Sequence, residues 1–123
     1  MPRKPEPMTN PITNRGTAFT RAERLEHGMI GRLPAAVETL EQQAQRCYRQ
    51  LQGLRCNIDR YVFLEELQNR NETLYYKLLV DHLVELLPVI YDPTVGEAIK
   101  KWSHAYRRSR AVYLSVDHIE DVR

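Results

Sequence analysis

Between Asn71 and Pro88, apolar side chains recur at Leu74, Tyr75, Leu78, Leu79, Leu83, Leu86 and Leu87. Spacings of three and four residues place them along one broad side of an α-helix. A stripe this wide faces a core on more than one side, so other helices must cover it. Asn71 is suited to cap the start of this helix. Pro88 is suited to end it, because the residue before a proline is pushed toward extended geometry. The pattern predicts a helix over 72–87.

Other start signals flank it. Thr20 with Glu23, and Thr39 with Gln42, fit the capping box, in which a hydroxyl and a side chain three residues on satisfy each other's backbone N–H. The first predicts a short helix to about His27, ended by Gly28 and Gly31. The second opens a longer helix with Leu40, Ala44, Cys47, Leu51 and Leu54 on one face. A third is expected from Ile58 to Leu67. Asp92 is placed to cap a further helix, with Pro93 at its first position, running to about Tyr106. Ala111 to Val116 is apolar and β-branched and reads as a strand, with another helix starting at Asp117. A single strand needs a sheet, because its backbone groups cannot stay unpaired. Residues 1–13 hold four of the seven prolines and read as a mobile arm. The expected fold class is mainly α. It comprises an arm over 1–13, a helical domain over 14–108, and the first β-strand of a truncated α/β domain over 109–123.

Composition narrows the function. Apolar content of 42% and charged content of 28% fit one soluble domain. A net charge of +2 gives no reason to expect a nucleic-acid or membrane partner. Lys100, Lys101, Arg107, Arg108 and Arg110, interleaved with Trp102 and Tyr106, read as a solvated helix end that suits the helix dipole. No apolar run approaches the roughly 20 residues that span a bilayer, and the opening Met-Pro-Arg-Lys-Pro-Glu-Pro has no signal-peptide core. Cys47 and Cys56 form no CxxC pair and read as reduced thiols of a cytoplasmic protein. The four histidines lack metal-ligand spacing.

The stretch Pro88-Val89-Ile90-Tyr91-Asp92-Pro93-Thr94-Val95-Gly96 sets a tyrosine on a tight connection at the mouth of a helix. A rigid scaffold can present a phenol hydroxyl there. The commoner role of such a tyrosine is packing, with its hydroxyl at the surface. The stretch resembles the Tyr-Thr-Pro-Thr-Val-Gly signature of malic enzymes. Other blocks follow that family in order and spacing: Asn14 to Thr20, Glu38 to Gln43, Arg70 to Tyr76, and Tyr106 to Arg110 with Leu114-Ser115. Gly31-Arg32-Leu33-Pro34 matches the family's Gly-Leu-Leu-Pro except at Arg32. On these collinear blocks the chain resembles the helical N-terminal domain of malic enzymes.

That resemblance carries expectations. Malic enzymes convert malate to pyruvate and CO2 with NAD or NADP and Mg2+ or Mn2+. Tyr91 would be the general acid that protonates enolpyruvate. A phenol does this readily only with a cation beside it. The family's lysine, metal ligands and dinucleotide-binding glycines lie further along, and no G-x-G-x-x-G occurs here. No cofactor or metal is therefore expected on these 123 residues, and alone they should be inactive. Asp92 stands where the family has threonine; both types cap helices, so the backbone expectation is unchanged. A homo-oligomer, dimer or tetramer, is implied. In some animal members two arginines and a glutamate, here Arg46, Arg70 and Glu38, bind or support the activator fumarate at a dimer interface. The ordinary alternative for these three is surface ion pairing, worth about 0–1 kcal/mol a pair. The rival for the whole chain is a non-catalytic helical association module.

Overall fold

Both capping boxes form. Thr20 Oγ1 accepts the Glu23 N–H at 3.3 Å while the Glu23 carboxylate accepts the Thr20 N–H at 2.8 Å. Thr39 and Gln42 repeat the exchange at 3.2 and 2.9 Å. The computed structural model describes residues 3–108, 110, 112 and 114–121. In chain order these form α1 (Glu6–Thr9), a 3-10 turn (Gly16–Ala18), α2 (Arg21–Glu26), α3 (Leu40–Gln52), α4 (Asn57–Arg70), α5 (Glu72–Asp81), α6 (Leu83–Ile90), α7 (Thr94–Lys100), α8 (Trp102–Ala105) and a 3-10 segment (Val116–Asp121).

The core lies where α5 packs against α3 and α4, and α4 also packs against α6 and α7. Ala44, Cys47 and Leu51 enter it from α3, Leu64 and Leu67 from α4, Leu74, Tyr75, Leu78 and Leu79 from α5, and Leu86 and Val89 from α6. Asn71 caps α5, accepting the Leu74 N–H at 3.1 Å. No helix among the described residues is long and apolar enough to cross a membrane.

The structure corrects several expectations. The helix predicted over 72–87 is two helices. His82 leaves helical geometry at φ −133 and ψ 30, and its ring stacks on Tyr48 of α3 with centroids 3.7 Å apart. Pro88 lies inside α6 and does not end it. Because α6 begins at Leu83, its first bond runs from the Leu86 N–H to the His82 carbonyl, and the proline removes only the bond to Val84. Buried Leu86 and Val89 hold the turn on either side of it. Asp92 does not cap α7. Pro93 occupies the cap position, and no side chain bonds there. That helix ends at Lys100, and α8 carries helical structure only to Ala105.

No strand is present among the described residues of 111–116. Val112, Leu114 and Ser115 take no regular element, and Val116 begins the 3-10 segment. Ala111 and Tyr113 lie outside the described residues. A strand without a neighbour has nothing to bond its backbone.

Residues 3–13 contain α1, and the Pro11 carbonyl accepts the Glu72 N–H at 2.9 Å. Asn14 Nδ2 donates to the Arg70 carbonyl at 2.8 Å. Arg24, only 4% exposed, closes the 17–36 loop from within. Its guanidinium donates to the carbonyls of Phe19, Thr17, Pro34 and Ala36 at 2.6–3.1 Å. Gly28 and Gly31 turn that loop at φ +66 and +79, a region glycine adopts without strain.

Candidate functional site

Tyr91 ends α6. Its N–H bonds the Leu87 carbonyl at 3.0 Å, and its own carbonyl accepts the Val95 N–H of α7 at 2.7 Å. Thr94, almost fully buried, donates its hydroxyl to the Pro88 carbonyl at 2.6 Å. The backbone of Tyr91 is therefore gripped between the last turn of α6 and the first turn of α7. The side chain is 67% exposed. No hydrogen bond or ion pair reaches its hydroxyl among the described residues, so the cation a phenol acid needs is not supplied here. The core phenol Tyr75, by contrast, is pushed up to about 12 by burial and is chemically silent.

Tyr91 stands at the end of an apolar surface. Val84, Leu87 and Tyr91 follow at spacings of three and four on α6, and Val80 and Leu83 extend the patch across the His82 break; all five are exposed. The broad stripe read from the sequence thus has one side in the core and the other bare.

The other expected residues sit elsewhere. Glu38 accepts a hydrogen bond from the Thr17 hydroxyl and forms an ion pair with Arg46. The Thr17 bond, followed by the Arg46 charge, holds the Glu38 carboxyl below its ordinary value of 4.5. Arg46 and Arg70 border one open cleft of about 430 Å3, whose lining includes Gln43, Cys47, Asn71 and Leu74. Arg70 makes no ion pair among the described residues. The structure therefore brings Glu38, Arg46 and Arg70 to one locality and places Tyr91 apart from them on α6.

The sequence reading missed the interior polar groups. Nothing local marks Arg24 as a buried clamp, since its acceptors are carbonyls on both sides of it in sequence, five to twelve residues away. Gln43, 2% exposed, donates to the Arg15 carbonyl and to the Thr17 hydroxyl oxygen, which positions that hydroxyl to donate to Glu38. Tyr48 donates to Glu85 at 2.6 Å while stacked on His82, and that bond raises the phenol's pKa. Cys47 is buried and free, with its thiol pushed up by burial, and Cys56 is exposed and free.

Residues 68–123 match the family model of the malic enzyme N-terminal domain. Across its length the chain is similar to malic enzymes. An NAD-dependent malic enzyme of Sodalis glossinidius is 50% identical over 115 residues, 91% of this chain and 20% of that protein. One from Aeromonas hydrophila is 44% identical over 121 residues, 96% of this chain and 22% of that protein. A Mycobacterium tuberculosis protein named as an NAD malate oxidoreductase is 49% identical across 99% of this chain. The chain spans about a fifth of the length of the curated relatives it matches. Tyr91 and Arg70 fall inside the matched segment, and Glu38 and Arg46 precede it.

Proposed function

We propose that this chain is the N-terminal part of an NAD-dependent malic enzyme and that Tyr91 is its general acid. The observation that carries this is the placement of Tyr91. The residue lies in the matched segment, its backbone is fixed by two helix ends, and its hydroxyl is presented without a partner. A group held so rigidly needs little reorganisation to meet a substrate carbon. The phenol gives its proton to the methylene carbon of the enolate of pyruvate, yielding pyruvate and a phenolate, which takes a proton back from a protonated cationic side chain that another part of the enzyme brings to the exposed face.

The residues here do not fit a metal or a dinucleotide. No three His, Cys, Asp or Glu side chains cluster among the described residues, and the sequence has no G-x-G-x-x-G. NAD, or NADP, and Mg2+ or Mn2+ are therefore assigned to sequence beyond this chain, and no step is built on them. The helical region supplies the acid and subunit contacts, in a homo-oligomer that is a dimer or tetramer.

A second reading rests on the bare face of α5 and α6: the region associates without catalysing. The two separate by assay. Malate-dependent NAD reduction by the longer enzyme should collapse with Tyr91→Phe under the first reading and persist under the second. The 123-residue chain itself should show no turnover with malate, metal and either dinucleotide; activity above background would contradict the division of labour proposed. Arg46 and Arg70, which line one cleft, and Glu38, which pairs with Arg46, are read as an effector or subunit-contact group.

A further inference from the structure

Three adjoining hollows on one side of the molecule all include Gln50 of α3. Arg46 is common to two of them and Arg70 to another two, so they form one continuous groove. Six cations line it, Lys4, Arg46, Arg49, Arg70, Arg107 and Arg108, against two carboxylates, Glu38 and Glu66. Six against two leaves +4 in the groove, while the whole chain carries +2, so everything outside sums to −2. Both carboxylates are engaged, Glu38 by Arg46 and Glu66 by Arg107. Lys4, Arg49, Arg70 and Arg108 have no ion pair among the described residues.

The fold puts these charges in line. Arg46 and Arg49 are three apart on α3 and share a face. Arg70 ends α4, and neighbouring Asn69 bonds the Arg108 carbonyl, which draws Arg108 alongside. Like charges gathered without counter-ions repel, and an anion laid along the groove removes that repulsion. A short dicarboxylate would reach the cations of one hollow. The free cations are distributed over three.

We propose that this groove binds an oligophosphate, either free or as the phosphate chain of a nucleotide. Guanidinium forks match phosphate oxygens in pairs, and a chain of phosphates repeats its charge along the line of arginines. Phe63 borders the hollow at the Arg108 end, where a nucleobase would stack. The inference rests on reading the Arg46–Arg70 cleft as a binding site and is independent of the role of Tyr91.

Titration calorimetry of tripolyphosphate into the chain, at about 50 mM salt where screening is modest, tests this. Binding is expected, and Arg70→Gln with Arg108→Gln should weaken it by about tenfold or more, two exposed ion contacts being lost. Glu38→Gln should tighten it, by removing an anion and freeing Arg46. Arg21→Gln on α2, outside the groove, should leave it unchanged. Equal affinity for tripolyphosphate and a nucleoside triphosphate would assign recognition to phosphate alone; tighter nucleotide binding would add Phe63. No heat at about 1 mM ligand, or equal binding by the arginine variants, overturns the proposal. If fumarate binds and tripolyphosphate does not, the oligophosphate inference falls and the effector reading stands; if neither binds, both fall. Circular dichroism reports whether the arginine variants stay folded, and if they do not, the Glu38→Gln arm decides alone.

Discussion

Tyr91 and Arg24 are opposite uses of a polar side chain. Tyr91 has a fixed backbone and a free hydroxyl, whereas Arg24 has every donor occupied and almost no exposure. Under the general-acid reading proposed above, Tyr91→Phe in the longer protein should leave folding intact, since only an exposed hydroxyl is lost. It should lower kcat by about 10²–10⁴-fold, the usual worth of a general acid, with a smaller effect on KM because the proton moves only during reaction. A variant with near-normal kcat would reduce Tyr91 to packing. Arg24→Met should instead cost about 2–4 kcal/mol in urea unfolding, because buried carbonyls left without donors cost about 1–3 kcal/mol each. Glu38 adds a pH dependence. Its folded-state pKa is lowered, first by the Thr17 hydroxyl and then by Arg46. Its stabilisation is therefore complete above the ordinary value of 4.5 and is lost as pH falls through the lowered one. Glu38→Gln should flatten the acid side of the stability curve measured by thermal unfolding, and an unchanged acid limb would show that other carboxylates dominate there.

At the scale of elements, the helix starts with local signals were legible. Thr20 with Glu23, Thr39 with Gln42, and Asn71 each bond within three residues, so the sequence contains everything the motif needs. Asn71→Ala should cost about 0.5–2 kcal/mol, the usual loss for a cap, read as a lowered unfolding midpoint; no change would mean that α5 is held by packing alone. The His82 break was not legible, because its ring stacks on Tyr48 of a different helix. The start of α7 was misread for a related reason. The Thr94 hydroxyl satisfies the Pro88 carbonyl and the Tyr91 carbonyl takes the Val95 N–H, so the joint is made by α6 and needs no help from Asp92. The sequence over 111–116 has the composition of a strand, but composition cannot supply the neighbour that a ladder requires. The placement of Tyr91 at the joint before α7 was visible in its local sequence, whereas the clamp at Arg24 and the groove around Gln50 arise from residues distant in sequence and carry no local pattern.

At the scale of the whole molecule, burial is lopsided. The core takes one side of α5 and α6, and Val80, Leu83, Val84 and Leu87 remain on the other, with Val84 91% exposed. Apolar side chains grouped on one face mark contact surfaces more often than scattered ones do, and Tyr91 lies at the edge of this patch. Self-association through this face is the expected behaviour of the chain in solution. Sedimentation at tens of micromolar, where an interface with Kd near about 1 μM is filled, should show a species larger than a monomer. Val84→Glu with Leu87→Glu should return it to monomer, because an unpaired carboxylate buried in an apolar contact is strongly disfavoured. Its helical circular dichroism should not change, since neither residue touches the core. A parent chain that stays monomeric throughout this range would remove the association reading. A variant that still associates would move the contact to another face and leave the Val84 patch to be covered by other parts of the enzyme.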